Sequence, residues 1–238
     1  MMILNKEWMY IHIPKTSGSN FKTTVCKSYK KPFVQYGSDL GDNNINIPKA
    51  SELYWGNINQ SLLHELNIPI DVRNTVHSMT MHCSVAMWEE AEVYNNEKVF
   101  TIVRNPYTRL VSLFNVYQKV INRYVEFSRV PTLEDFIFHP LYRKGFSIYG
   151  FSTPERNQID FLKNRDGNII CDRFYKMETQ QKKLQRDFRL DNIDTWRYNT
   201  HVYNKDYSTI YNDRLIEFVQ TTFKQDFEYF NYDINPFW

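Results

Sequence analysis

Glycine, cysteine and long apolar runs are all scarce in this sequence. Only 7 of its 238 residues are glycine, whereas 16% are aromatic, which excludes a flexible low-complexity chain and favours a large packed domain. The three cysteines, Cys26, Cys83 and Cys171, are widely spaced. The sequence contains neither a CxxC pair nor a Cys/His ligand set, so the pattern indicates no disulfide framework and no metal site.

Signals for a membrane span or for nucleic-acid binding are also missing. No stretch reaches the roughly 18 apolar residues that a membrane-spanning helix needs. Residues 1–10 contain Lys6 and Glu7 where a signal peptide would have an apolar core. The net charge of +2 is too small to indicate a nucleic-acid partner. We therefore expect a soluble, cytoplasmic protein.

The order of apolar and helical patterns in the first half predicts the fold class. Strand-like runs cover residues 8–13, 72–77 and 99–103, and a helical pattern follows each of them. Three consecutive strand–helix units predict an α/β fold, with a central parallel sheet and helices on both faces.

The second half is less regular. Thr132 is predicted to cap a short helix, residues 169–175 to form a strand, and residues 180–188 and 211–223 to form helices. No repeat, low-complexity tract or linker interrupts the chain. We therefore expect residues 1–238 to form one domain.

A short polar loop follows the first predicted strand. It reads Pro14-Lys15-Thr16-Ser17-Gly18-Ser19 and leads into a predicted helix that begins at Asn20. A helix start after a strand presents backbone N–H groups and the positive end of the helix dipole, and both favour phosphate binding. Lys15 adds a positive charge, although the Walker A spacing is absent. The same residues are also compatible with an ordinary turn that carries a surface lysine.

A second motif follows the apolar run 99–103. It reads Arg104-Asn105-Pro106-Tyr107-Thr108-Arg109-Leu110-Val111-Ser112, in which Asn105 and Pro106 are typical of a helix start. An arginine at the end of a buried strand indicates an anion nearby. Arg104 and Ser112 could hold a second phosphate through a guanidinium and a hydroxyl contact. The alternative is an arginine paired with a carboxylate and a solvated serine.

Two histidines, His77 and His82, follow the second predicted strand. Most single histidines are structural, but these lie with the two polar motifs beyond the carboxyl ends of successive parallel strands, where open α/β sheets bind ligands. A histidine beside two anion sites can act as the general base for an incoming hydroxyl.

Together these motifs resemble those of a known enzyme family. The segment Ile11-His12-Ile13-Pro14-Lys15-Thr16-Ser17-Gly18-Ser19 resembles the 5′-phosphosulfate loop of carbohydrate sulfotransferases related to the heparan sulfate 2-O-sulfotransferases. The segment from Val103 to Ser112 is similar to that family's 3′-phosphate motif, including the Arg-to-Ser spacing. Residues 158–162, 166–170 and 211–232 are similar to its later blocks. The resemblance implies a P-loop-like three-layer sandwich.

The resemblance also implies how the donor, 3′-phosphoadenosine 5′-phosphosulfate (PAPS), would bind. Lys15 would lie at the oxygen that bridges phosphorus and sulfur. Arg104 and Ser112 would hold the 3′-phosphate. The 5′-phosphate would be surrounded by Thr16, Ser17, Gly18, Ser19 and Asn20.

For the catalytic base, the resemblance implies His82. Its distance upstream of Arg104 matches that of the catalytic histidine in the 2-O-sulfotransferase type. The family often carries a His-x-His pair there, whereas the partner position in this sequence is Thr80. His77 is the alternative base.

The implied function is transfer of a sulfuryl group from PAPS to an acceptor hydroxyl, with a saccharide favoured and adenosine 3′,5′-bisphosphate as the product. Golgi-resident relatives have a signal anchor and usually disulfides, so we expect a compact microbial or viral form. Two alternatives remain at this level. The loop could serve a nucleotide or small-molecule kinase, or the aromatic residues could form a non-catalytic glycan-binding module.

Overall fold

A computed structural model describes residues 2–4, 7–18, 20–21, 24–25, 33–35, 82–90, 94, 96–121, 132–139, 155–190 and 207–236. Its strands are β1 Met2–Leu4, β2 Trp8–Ile11, β3 Phe33–Gln35, β4 Lys98–Val103 and β5 Arg173–Lys176. Its helices are α1 Val85–Glu90, α2 Pro106–Ile121, α3 Leu133–Phe138, α4 Gln181–Phe188, α5 Asp213–Thr222 and α6 Lys224–Phe230. Short 3₁₀ turns cover Ile159–Phe161 and Tyr207–Thr209.

The strands form one sheet in the order β3-β1-β2-β4-β5. The pairs β2–β4 and β4–β5 are parallel, with Ile11 opposite Thr101 and Phe100 opposite Arg173. The pairs β1–β2 and β1–β3 are antiparallel. The α/β prediction is confirmed by the parallel strands and their helices, whereas the antiparallel strands were not predicted. The predicted strand 72–77 lies outside the described residues.

Side chains of the central strands alternate between two apolar layers. One layer packs Met9 and Val99 against helix α1 and against Phe230 of α6. The opposite layer packs Tyr10 and Phe100 against helical residues after the polar loop and against α4. Both faces of the sheet are therefore covered, which explains why β4 reads as a continuous apolar run.

The helix starts predicted from the sequence lie closer to those in the structure than the predicted helix ends do. The side chain of Thr132 accepts a hydrogen bond from the Asp135 N–H and so caps α3, as predicted. The predicted helix 211–223 is shorter at both ends, and a further helix, α6, begins directly after Phe223. None of the helices in the described part of the chain is long and apolar enough to cross a membrane.

Candidate active site

The polar loop after β2 has an unusual backbone. Lys15 and Ser17 have φ angles of 67° and 71°, in the left-handed region that non-glycine residues rarely adopt. Thr16 between them has no positive φ, so the sign of φ alternates along the loop. Alternation of this kind turns successive N–H groups toward one side and forms an anion-binding concavity. Such strain persists where the surrounding structure fixes it, and it clusters at functional sites.

The end of this loop offers hydrogen-bond donors. The Phe21 N–H donates to the Ser17 carbonyl at 3.1 Å, which opens a helical turn. Among the hydrogen bonds of the described residues, none uses the backbone N–H of Ser17 or Gly18 as its donor. The Thr16 hydroxyl instead donates to the Ile13 carbonyl at 2.9 Å and braces the loop. Asn20 is buried. Ser19 lies outside the described residues.

Gly18 is required by a close approach of His12. A Cβ atom at position 18 would lie 1.9 Å from Cδ2 and 2.1 Å from Nε2 of the His12 ring. His12 is buried, and its ring centroid lies 4.4 Å from that of His82. The loop, His12 and His82 therefore form one packed unit, with His82 on its partly exposed side.

One hydrogen bond defines the tautomer of His82. Its Nδ1 lies 3.1 Å from the His12 carbonyl oxygen. Because a carbonyl only accepts, Nδ1 carries the proton, and in the neutral ring the lone pair is on Nε2. This arrangement suits a general base that acts through Nε2. The alternative base, His77, lies outside the described residues. Glu89 on α1 accepts a hydrogen bond from the Arg165 N–H.

The second motif directly contacts the first. Arg104 follows β4 and is buried; its Nη1 donates to the Lys15 carbonyl at 3.3 Å and its Nε to the Thr108 hydroxyl at 2.9 Å. These partners of the guanidinium are neutral oxygen atoms. Burial raises the pKa of the Tyr207 phenol, and Arg104, which hydrogen-bonds to it, opposes that shift. Arg104 thus lies at the edge of the loop.

Arg109 contributes to the site although sequence reasoning gave it no role. It is 1% exposed, and its Nε donates to the Pro14 carbonyl at 3.2 Å. Its Nη1 donates to the Arg156 carbonyl at 3.0 Å, while its buried Nη2 has no hydrogen-bond partner among the described residues. Burial lowers the pKa of Arg109 to about 10, and the charge of Asp226 opposes this shift. Two arginines of one motif therefore fasten consecutive carbonyls of the other.

The match to a family model covers both motifs. The model of the sulfotransferase family matches residues 5–144, which is more than half of the 238-residue chain. The chain belongs to the sulfotransferase family. No curated protein and no solved structure matches it.

In this sulfotransferase, Ser112 is the second residue that the sequence predicts at the 3′-phosphate. It lies on α2, is 7% exposed, and makes no hydrogen bond with another described residue. At the start of α2, the Asn105 N–H donates to the Glu178 carboxylate and the Tyr107 N–H to the Asn105 side chain. These two N–H groups are therefore used within the protein.

The sulfotransferase site also receives residues from beyond the matched region. The Ser17 hydroxyl donates to the Met177 sulfur at 2.9 Å, and Met177 follows β5. Gln158 hydrogen-bonds to both backbone groups of Arg104. Gln158 lies in the block 158–162 that resembles the family, but no local pattern indicates these contacts, because the partners are more than 50 residues away in the sequence. Among the described residues, no group of three or more His, Cys, Asp or Glu could hold a metal ion.

Proposed function

We propose that this protein transfers the sulfuryl group of PAPS to an acceptor hydroxyl, with a saccharide as the favoured acceptor. The observation that supports this most strongly is the contact between the two predicted phosphate motifs. Arg104 and Arg109 both donate to carbonyl oxygens of the loop, so the two motifs belong to one site. A donor with a phosphate at each end of a nucleoside matches two adjoining anion sites.

The loop is the proposed 5′-phosphosulfate site. Its positive φ angles and the N–H groups of Ser17 and Gly18 support phosphate binding. Thr16, Ser19 and Asn20 are the further residues that we propose for this site. When bound, PAPS would supply the sulfuryl group, whose bond to the 5′-phosphate oxygen breaks as its bond to the acceptor oxygen forms. Lys15 and the loop N–H groups would stabilise the charge that gathers on this phosphate.

Arg104 and Ser112 are the proposed 3′-phosphate ligands. The buried Arg104 guanidinium can form charge-assisted hydrogen bonds to an oxyanion. The Ser112 hydroxyl can donate to the same anion without giving up a bond to another described residue. Recognition of the 3′-phosphate would distinguish PAPS from ordinary nucleotides.

His82 is the proposed general base. Its Nδ1 hydrogen bond to the His12 carbonyl leaves the lone pair of the neutral ring on Nε2, which would take the proton of the acceptor hydroxyl. His77 remains the alternative. No metal is needed for these steps, because Lys15 and the loop N–H groups supply the positive charge.

We further propose a P-loop-like three-layer sandwich that forms a single domain of residues 1–238. Helical residues against both faces of the sheet support the layered arrangement. A cytoplasmic location is supported by the free thiols of Cys83 and Cys171, which are typical of a reducing compartment. The saccharide acceptor is supported by the resemblance to carbohydrate sulfotransferases.

Calorimetric titration tests the donor, and a transfer assay tests the acceptor. We expect tight binding of adenosine 3′,5′-bisphosphate and much weaker binding of adenosine 5′-phosphate. Tighter binding of ATP–magnesium would instead support a kinase, and binding of neither nucleotide would support a glycan-binding module.

Radiolabelled PAPS offered with a panel of glycans, peptides and phenols should label the glycans. Label on the peptides or phenols alone would exclude a saccharide acceptor.

A further inference from the structure

The main chain of Arg104 is held by a single side chain. The Gln158 Oε1 atom accepts from the Arg104 N–H at 2.9 Å, and its Nε2 atom donates to the Arg104 carbonyl at 2.8 Å. Gln158 is 0% exposed. Both backbone groups of Arg104, the first of the two residues between β4 and α2, are therefore satisfied by one buried amide.

Gln158 is in turn held by a buried carboxylate. Asp226 on α6 accepts from the Gln158 N–H at 2.8 Å, from Gln158 Nε2 at 3.2 Å and from the Ile159 N–H at 2.9 Å. Burial raises the pKa of Asp226, while Arg109 and these N–H donors act in the opposite direction. Because Asp226 occupies one Nε2 hydrogen, the amide of Gln158 can present its other hydrogen to Arg104 in only one orientation.

The chain of contacts continues from Arg104 to the phosphate loop. The Arg104 side chain reaches the Lys15 carbonyl and the Thr108 hydroxyl. A displacement of the Arg104 main chain would therefore move the guanidinium relative to the loop and to Ser112. Small displacements of this kind are sufficient to weaken recognition that depends on geometry.

We propose that Gln158, held by Asp226, is a positioning residue for the 3′-phosphate: it fixes the main chain of Arg104 and thereby directs its guanidinium. The inference rests on the function proposed above. Both residues lie beyond residues 5–144, the region matched by the family model. A purely structural role would make Gln158 a tether between the segment 155–162 and the C-terminal helices, without effect on which nucleotide binds.

Asn157 provides the matched control for that structural role. Its Nδ2 donates to the Thr222 carbonyl at 2.9 Å and so ties the same segment to α5. No hydrogen bond joins Asn157 to Arg104 among those of the described residues. Asn157→Ala and Gln158→Met should both lower the midpoint of thermal unfolding. Only Gln158→Met should change the selectivity for the 3′-phosphate.

The experiment measures the dissociation constants of adenosine 3′,5′-bisphosphate and adenosine 5′-phosphate for the full-length protein and its variants. The dissociation constant of adenosine 5′-phosphate divided by that of the bisphosphate reports the contribution of the 3′-phosphate. We expect this ratio to fall about tenfold in Gln158→Met, as for loss of a well-aligned charge-assisted contact. It should stay unchanged in Asn157→Ala. Adding Gln158→Met to Arg104→Ala should cause no further fall, because both changes act through the same guanidinium.

The outcomes separate the two proposals. If the unmodified protein has no preference for the 3′-phosphate, the proposed function fails and this inference fails with it. If Arg104→Ala abolishes the preference while Gln158→Met leaves it intact, the function stands and the positioning role is overturned. Should Gln158→Met not fold, Asp226→Asn decides, since it keeps the shape and removes one acceptor. A two- to fivefold fall in the ratio supports the role, and an unchanged ratio overturns it.

Discussion

At the scale of single residues, Gly18 and His12 are the most restrictive pair in the site. A methyl group at position 18 would overlap the His12 ring, so Gly18→Ala should lower the free energy of unfolding by about 1–3 kcal/mol, the usual cost of overpacking. It should also lower turnover, because displacement of His12 disturbs its contacts with His82. Urea denaturation and a transfer assay measure these two effects.

Combining Gly18→Ala with His12→Ala provides the internal control for the predicted steric clash. It removes the ring that the methyl group would meet, so the double variant should be no less stable than His12→Ala alone. Gly167→Ala should be destabilising for a different reason, since Gly167 has a φ of 82° and open space around its Cα. Additive losses from Gly18→Ala and His12→Ala would contradict the steric account.

His82 is the residue whose proposed role is most directly tested by pH. His82→Ala should lower turnover by about 10²–10⁴-fold, the usual effect of losing a general base. The rate of the unmodified enzyme should rise with pH as the imidazole loses its proton, and the variant should lose this acidic limb. Bisphosphate binding should be nearly unchanged, because the base contacts the acceptor.

The matched variant for this test is His77→Ala, which should keep the pH profile and cost less activity. The reverse pattern would assign the base to His77. If neither variant flattens the acidic limb, a carboxylate such as Glu89 would become the better candidate. In the structure, Oε2 of Glu89 accepts a hydrogen bond from the Arg165 N–H.

At the scale of elements, α3 depends on its cap. Thr132 accepts from the Asp135 N–H at 3.1 Å, and Asp135 accepts from the Thr132 N–H at 2.8 Å. Thr132→Ala should therefore lower the free energy of unfolding by about 1 kcal/mol. Thr132→Ser keeps the hydroxyl and should cost little. Chemical denaturation of the two variants measures the difference, and equal losses would show that the hydroxyl is not the cause.

The sequence predicts an element where the pattern is local and long enough. The apolar run of β4, the Asn105-Pro106 helix start and the Thr132 cap each lie within a few residues, and all three are present. Strands β1 and β3 have three residues each, too few to show an alternation.

Contacts between residues that are far apart in the sequence cannot be predicted from local patterns. Gln158 and Asp226 are 68 residues apart, and nothing in the neighbourhood of either residue indicates the other. Both motifs of the proposed donor site can be located in the sequence, because each lies where a strand gives way to a helix. Residues 158–162 and 211–232 are recognised only as later blocks of the resemblance, and the link from Asp226 through Gln158 to Arg104 is not predictable, because it joins distant parts of the sequence.

At the scale of the whole molecule, the rate at which the Cys83 thiol is labelled should report how often the core opens. Cys83 is 1% exposed, and burial raises the pKa of its thiol to about 12, so little reactive thiolate exists at pH 8. Labelling of Cys83 should require the packed layer around α1 to open. Bisphosphate at 100 times its dissociation constant adds about 2.7 kcal/mol of stability and should slow this labelling about 100-fold.

Cys171 is the comparison within the same chain. The pKa of its thiol is also raised to about 12 by burial, but its side chain is only partly buried in the fold. Its labelling should be faster and less sensitive to the nucleotide. Mass spectrometry of the two cysteine peptides over time measures both rates. Equal protection of Cys83 with and without bisphosphate would show that opening of the layer around α1 does not release the nucleotide.

The hydrogen bonds that link Asp226 to Gln158 and Gln158 to Arg104 also affect when the site forms during protein synthesis. The polar loop after β2 is synthesised before the residues that hold Arg104, since Gln158 lies 54 residues beyond Arg104 and Asp226 a further 68 residues on. Contacts so distant in the sequence form late, after the entropy of closing long loops has been overcome. A nascent chain should therefore contain both motifs before it has a working site. During refolding, bisphosphate binding should return with the final kinetic phase, as a marker of complete folding.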